Sequence, residues 1–147
     1  MKHPHARSIL TLTFAALAAL PAVAPAFADS GEDTFEITID VAPATLNLRS
    51  CGKVVTVHTD VLYDDVDVAT IYLAGVAIDS WKADDRGYFV AKFVSDDVKT
   101  IEGLVIGGPN EFKLVGLDVY DTPFWGEQEV TVIERGAPCT SQDVSGE

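Results

Sequence analysis

The sequence predicts an all-β sandwich of about seven short antiparallel strands. Apolar and polar residues alternate with a period of two in several segments, such as TFEITIDVA and KVVTVHTDV, which is typical of strands with one buried face. Turn-forming Gly, Pro, Asn and Asp residues separate these segments at regular spacing. Because only one short segment has a helical pattern, the expected architecture is two packed sheets rather than a mixed fold.

The N-terminal 28 residues have the pattern of a cleaved secretory signal peptide. Basic residues including Lys2 and Arg7 precede the apolar run SILTLTFAALAAL, and an A-x-A site ends at Ala28. The alternative, a retained membrane anchor, is disfavoured because the apolar run is short and prolines and a cleavage site follow it. We therefore expect an exported protein, periplasmic or secreted, with no membrane insertion of the mature chain.

Length and charge limit the domain organisation and the classes of partner that the chain can have. The chain has 147 residues and a formal charge of −13 at pH 7. After the signal peptide we expect a polar leader over 29–33, one sandwich domain over 34–136 and a tail over 137–147. So acidic a chain repels phosphate backbones, which argues against nucleic-acid binding. The carboxylates indicate either a solubilising surface or a weak site for a hard cation such as calcium.

Four strands are predicted before residue 77, because the apolar alternation stops at turn signals. Pro43 ends the first strand, since proline cannot donate to a central ladder, Gly52 supplies a turn, and Gly75 permits a bend or bulge. An acidic connector, LYDDVDVAT, separates the third strand from the fourth. The residues expected to face the core are Phe35, Ile37, Ile39 and Val41, then Leu46 and Leu48, then Val55 and Val57, then Ile71 and Leu73.

The second half is predicted to contain a loop, a short helix and three strands. IDSWKADDRG, over 78–87, is expected to be a loop, and Ser95 is the expected N-cap of one or two helical turns. The apolar positions change phase at Gly116, which predicts a bulge, and DTPFWGE, over 121–127, is expected to connect the last two strands. The core-facing residues here are Phe89, Ala91 and Phe93, then Phe112 and Leu114, and the last strand is QEVTVIER.

Three motifs in a fixed order resemble a known family. They consist of Asn47, Leu48, Ser50 and Gly52 at a strand corner, Asp67, Val68, Ile71, Leu73 and Gly75 in the next segment, and Thr122, Pro123, Phe124 and Gly126 before the final strand. In this arrangement the chain resembles the bacterial and archaeal immunoglobulin-like β-sandwich modules of secreted and cell-surface proteins. The resemblance implies an immunoglobulin-like fold and a non-catalytic accessory role, and its motifs are mostly strand and turn residues.

The resemblance also bears on the only two cysteines, Cys51 and Cys139. In sandwiches of this kind an early strand, here 45–50, often runs parallel to the last strand, here 128–135, so that both finish at the same end. Cys51 directly follows the early strand and Cys139 comes shortly after the last one. The resemblance therefore implies a Cys51–Cys139 disulfide formed in an oxidising compartment, with two free thiols as the alternative.

The sequence contains few of the residue patterns that enzymes use for catalysis. His58 is the only histidine beyond the signal peptide, and strand alternation places it on an outward face as a solvated residue. No paired cysteine motif, zinc motif or nucleophile motif occurs, so we expect no enzyme activity and no resident cofactor. A small hydrolase that uses two of the many carboxylates is an alternative, but it needs a substrate cleft.

Two features keep binding functions open. YDDVDVAT places Asp64, Asp65 and Asp67 within one loop, a spacing that suits a weak calcium site. Trp81, Trp125 and Tyr120 are candidate ligand-binding aromatics, and a coplanar, exposed Trp81–Trp125 pair would indicate carbohydrate binding.

The expected function is that of an exported, non-catalytic immunoglobulin-like module with a structural or protein-interaction role. Its partner would be an extracellular or periplasmic protein or glycan that the sequence does not identify. The first alternative is a carbohydrate-binding or calcium-dependent adhesion module, and the second is a small hydrolase.

Overall fold

The computed structural model describes residues 33–140, which form two β-sheets packed together. These residues belong to one compact unit. The predicted signal peptide, most of the polar leader and the end of the tail lie outside the described residues. The strands are β1 Phe35–Glu36, β2 Ile39–Ala42, β3 Thr45–Asn47, β4 Val54–Leu62, β5 Val66–Leu73, β6 Val76–Ala77, β7 Ser80–Ala83, β8 Tyr88–Val94, β9 Gly108–Asp118 and β10 Pro123–Ile133. A 3-10 turn spans Tyr63–Asp65, and a helix, α1, spans Ser95–Lys99.

The two sheets have simple strand orders. The first sheet runs β1-β10-β9-β5-β6, with β3 also pairing with β10, and the second runs β2-β4-β8-β7. β1 and β3 are parallel to β10, and the other paired strands are antiparallel. The all-β sandwich predicted from the sequence is therefore confirmed.

The core lies between the sheets and contains most of the residues predicted for it. Val57, Phe89, Ala91, Phe93 and Leu114 are completely buried, and Val55 is almost completely buried. Leu48 is only partly buried. Phe35 is an exception, because it is 38% exposed. It lies on the two-residue edge strand β1, where its ring still packs 5.7 Å from that of Phe124.

The predicted first strand is in fact two strands that belong to different sheets. β1 pairs with β10, and the chain then crosses to the second sheet, where β2 pairs with β4. Gly126 permits the crossing, since a Cβ there would lie only 2.7 Å from the carbonyl oxygen of Ile37. Gln128 holds the chain after the crossing, because its side-chain oxygen accepts a hydrogen bond from the Val41 amide at 2.6 Å.

The loop predicted over 78–87 is wrong in part, because Ser80–Ala83 forms the edge strand β7 paired with β8. The turn between them depends on Asp84, whose Oδ1 accepts hydrogen bonds from the amides of Arg86 at 2.8 Å and Tyr88 at 2.9 Å. β7 is mostly exposed, so its sequence lacks the alternation that burial imposes.

The bulge predicted at Gly116 is displaced onto the neighbouring strand. Gly116 pairs regularly with Phe124 of β10, whereas the register of β5 against β9 shifts between Asp67 and Tyr72. A Cβ at Gly116 would overlap Ile71 and lie 2.8 Å from the ring of Phe124. The glycine therefore makes room for two core side chains.

Two further local predictions need correction. The connection predicted over 121–127 is shorter, because β10 already begins at Pro123 and includes Phe124 and Trp125. The short helix is present, but Ser95 is its first residue rather than its cap. Val94 occupies the cap position, and no side chain within residues 33–140 caps the helix.

Candidate binding groove and the predicted site residues

The disulfide implied by the resemblance is present. Cys51 and Cys139 are bonded, with Cα atoms 5.4 Å apart. The parallel arrangement behind the prediction is present too, since Thr45–Asn47 runs alongside Thr131–Ile133 of β10. The disulfide therefore holds the segment after β10 against the corner that follows β3.

Asn47 reinforces the same connection through its side chain. Its Oδ1 accepts hydrogen bonds from the amides of Arg49 and Arg135, both at 3.1 Å, and its Nδ2 donates to the Arg135 carbonyl at 3.0 Å. Arg49 adds an ion pair of 3.1 Å with Glu134. The corner motif thus has a structural role, which is to fasten the C-terminal segment.

The two tryptophans do not share a surface. Trp81 lies on β7 of the second sheet opposite the core residue Ala91, so it is directed to the inner side at an open edge and is 43% exposed. Trp125 lies on the outer face of the first sheet, beside Val115. The Lys113 ammonium is 4.4 Å from the centre of the Trp125 ring. The coplanar pair that would indicate carbohydrate binding is not formed.

The three candidate calcium ligands are distributed over two elements. Asp64 and Asp65 lie in the 3-10 turn, whereas Asp67 is in β5 and its Oδ1 accepts a hydrogen bond from the Ala69 amide at 3.2 Å. Within residues 33–140, no group of three or more His, Cys, Asp or Glu side chains is arranged to hold a metal ion.

His58 lies on the outer face of the second sheet, as the alternation predicts. Its cross-strand neighbours are Asp40 on β2 and Val90 on β8, and its side chain is exposed.

A groove of about 380 Å³ lies between β1, the end of β4 and the β9–β10 turn. We call it the acidic groove, because it combines carboxylates with apolar side chains, and no Lys or Arg of the described residues lines it. Its lining residues are Phe35, Glu36, Ile37, Asp60, Val61, Leu62, Asp65, Asp118 and Tyr120. It brings together two of the predicted candidates, Asp65 and Tyr120.

The carboxylates of the acidic groove differ in what they bind. Asp118 is structural, since its Oδ1 accepts hydrogen bonds from the amides of Tyr120 and Thr122, both at 2.8 Å. Asp60 accepts one hydrogen bond, from the Thr38 amide at 3.0 Å. In the part of the chain that the structure describes, the carboxylates of Glu36 and Asp65 make no hydrogen bond or ion pair. They are therefore available to a cation.

Tyr120 lies on a turn that backbone hydrogen bonds close. Asp118 donates its amide to the Thr122 carbonyl at 3.0 Å and accepts the Asp121 amide at its own carbonyl at 3.0 Å. Asp121 has a φ of +62°, a left-handed conformation that is strained for a residue with a side chain. Tyr120 is 82% exposed. The turn thus fixes the backbone while the aromatic ring remains free for contact.

Two exposed apolar residues belong to the same region, Leu62 in the groove lining and Val119 next to Tyr120 in the chain. Leu62 and Val119 are each 51% exposed, and Val119 donates its amide to the Asp65 carbonyl at 2.9 Å. This bond ties the β9–β10 turn to the 3-10 turn. The acidic groove is therefore bounded by two connected turns.

Sequence reasoning missed Glu36, Asp60 and Leu62 as site residues. Alternation places all three on exposed strand positions. Their convergence depends on the parallel β1–β10 pairing and on the strand crossing at Gly126, for which the sequence contains only the isolated glycine as a signal.

Comparison with known proteins does not extend this assignment, because no family model, no curated protein and no solved structure matches the chain. Among residues 33–140 there is also no helix of the length and apolar character that a membrane crossing requires.

Proposed function

We propose that this chain is an exported, non-catalytic immunoglobulin-like module that binds a cationic segment of a partner protein in the acidic groove. One observation carries the proposal: an 82% exposed tyrosine on a hydrogen-bonded turn borders a groove that is lined by several carboxylates and, among residues 33–140, by no Lys or Arg. The formal charge of −13 on the whole chain adds long-range attraction for a basic partner.

The immunoglobulin-like assignment is supported by the strand order. The second sheet, β2-β4-β8-β7, follows the A-B-E-D order of that fold, and β10-β9-β5-β6 follows the G-F-C order with an added C′ strand. The acidic groove then lies at an end of the sandwich, where such folds present their recognition loops.

The proposed contacts follow from the lining of the acidic groove. Lys or Arg side chains of the partner would pair with Glu36 and Asp65, whose carboxylates are unpaired within residues 33–140. An apolar side chain of the partner would pack between Leu62 and Tyr120. Tyrosine supplies a large contact area at low cost in conformational entropy, and it is frequent among the residues that dominate interface energies.

Export is supported by two independent features. The N-terminal segment has the order of a signal peptide, ending in an A-x-A site at Ala28. The Cys51–Cys139 disulfide fits the oxidising conditions outside the cytosol.

A peptide titration followed by ¹H–¹⁵N NMR tests the proposal. The probe is a synthetic peptide of alternating lysine and valine, and its counterpart has glutamate in place of lysine. We expect the lysine peptide alone to shift the amides around Tyr120 and Glu36. Tyr120→Ala should weaken binding by about tenfold, and Glu36→Gln by roughly two- to fivefold.

Matched variants separate the acidic groove from general attraction to an acidic surface. Tyr72→Ala removes another exposed tyrosine, and Glu111→Gln removes another exposed carboxylate, both on the first sheet outside the groove. Equal losses in these variants and in the groove variants would refute the acidic groove as the binding site.

A further inference from the structure

A second cavity lies beside the disulfide and has the opposite electrostatic character. It measures about 730 Å³ and is formed by the corner over 48–53, by Val94 and helix α1, and by the segment over 134–140. We call it the corner pocket. We propose that it binds a small organic anion that joins a carboxylate to an apolar body. This inference does not depend on the proposed function of the acidic groove.

The charge of the corner pocket is reversed relative to the chain. The whole sequence has 23 Asp and Glu residues against 10 Lys and Arg residues. In the corner pocket, three cations, Arg49, Lys53 and Lys99, face two carboxylates, those of Asp96 and Glu134. A cavity with a local excess of positive charge in so acidic a protein attracts an anion of matching size.

The three cations retain hydrogen-bond donors for a ligand. Lys99 donates to the Ser50 carbonyl at 2.7 Å and to Asp96 at 3.3 Å, which uses two of its three N–H groups. Arg49 donates through Nε to Glu134 and through one terminal nitrogen to the Gly136 carbonyl, out of five N–H groups. The ammonium of Lys53 has no partner within residues 33–140.

Lys99 is the cation best placed to hold an anion. Its side chain is only 10% exposed, so its charge is screened less than that of a surface lysine. Its contact with the Ser50 carbonyl fixes it against the corner. A ligand carboxylate would therefore find one positioned ammonium, with Arg49 and Lys53 as further donors.

The corner pocket also has apolar lining. Leu48, Val94 and Pro138 contribute hydrocarbon surface, and the disulfide contributes its sulfur atoms. The volume lies within the range of small-molecule sites, roughly 300–1,000 Å³. A ligand with both a charge and an apolar body uses the whole corner pocket, whereas an inorganic anion uses only the cations.

The disulfide is part of the binding wall. Pro138, Cys139 and Thr140 line the corner pocket on the side that the Cys51–Cys139 bond holds in place. We therefore expect reduction of the disulfide to weaken anion binding by at least as much as loss of one cation does.

A ¹H–¹⁵N NMR titration of the purified, disulfide-bonded protein with benzoate tests the proposal. Benzamide serves as the neutral counterpart of the same shape, and inorganic phosphate as an anion without an apolar body. We expect saturable shifts at the amides of 51–53 and 96–99 with benzoate, and binding weaker by at least about tenfold for the other two probes. Equal binding of benzamide or of phosphate, or no saturable shift with benzoate, would overturn the proposal.

A charge variant with a matched control completes the test. Lys53→Gln removes an exposed cation of the corner pocket and should weaken benzoate binding by roughly two- to fivefold. Lys82→Gln removes an exposed lysine on β7 and should leave benzoate binding unchanged. If both variants weaken binding equally, only the net charge matters, and the corner pocket is not the binding site.

Discussion

Asp84 organises the β7–β8 hairpin through its carboxylate. The hydrogen bond from the Tyr88 amide is the main cause that lowers the pKa of Asp84, and the Arg86 amide and guanidinium add to it. Because the pKa is lowered in the folded state, ionised Asp84 stabilises the hairpin fully above the pKa of an unfolded aspartate. This stabilisation is lost as the pH falls through the lowered pKa.

The first prediction concerns the local stability of this hairpin in acid. We expect the hydrogen-exchange protection factor of the Tyr88 amide to stay constant from about pH 6 to about pH 4, near the ordinary aspartate pKa, and to fall as the pH is lowered further to about pH 2. Asp84→Asn keeps an acceptor oxygen but does not titrate, so its Tyr88 protection should not depend on pH in this way. A wild-type protection factor that stays constant over the range would contradict the assignment of the hydrogen bond.

At the scale of elements, the sequence predicts the strands that bury one face and fails for those that do not. The core positions of β4 and β8 follow from alternation, since burial selects an apolar residue at every second place. β7 is an exposed edge strand, and its residues Ser80–Ala83 have no such constraint. β1 and β2 share one continuous alternation, which contains no information about a change of sheet.

The acidic groove, too, could be predicted only in part from local sequence patterns. The sequence predicts Tyr120 as a candidate ligand-binding aromatic and Asp65 as a loop carboxylate, but on separate arguments. Glu36 joins them only because β1 pairs with the start of β10, which lies 89 residues later in the chain, with Phe35 opposite Phe124 and Glu36 opposite Trp125. Long-range pairing of this kind is not encoded in any local pattern.

The disulfide provides a prediction for the β3–β10 connection. It joins residues 88 positions apart, for which chain entropy predicts a stabilisation of roughly 4–5 kcal/mol. The double variant Cys51→Ser/Cys139→Ser should lower the free energy of unfolding in urea by about this amount. Hydrogen exchange should increase most at the Leu48 amide, which donates to the Ile133 carbonyl at 2.9 Å.

The central strands provide the control for this experiment. Amides in the β4–β8 ladder, such as that of Val57 opposite Ala91, should keep their protection relative to the global stability of each variant. Equal free energies of unfolding for the wild type and the double variant would show that the bond does not constrain the unfolded chain as proposed.

At the scale of the whole molecule, the two cavities differ in how they relate to the net charge. The acidic groove has the sign of the chain as a whole, so long-range attraction and local contacts act together on a cationic partner. The corner pocket has a local excess of cations within a negative molecule, so an anion is attracted only at short range. Salt should therefore affect binding at the acidic groove more strongly.

The last prediction uses this difference and also tests the calcium hypothesis. Binding of the lysine–valine peptide should weaken severalfold as salt shortens the Debye length from about 30 Å to about 8 Å, while benzoate binding changes less. Calcium and magnesium at equal concentration should weaken peptide binding equally, because Asp64 and Asp65 lie in the 3-10 turn while Asp67 is bonded to the Ala69 amide in β5. A larger effect of calcium that disappears in Asp65→Asn would instead identify a calcium site, since calcium accepts irregular carboxylate geometry that magnesium does not.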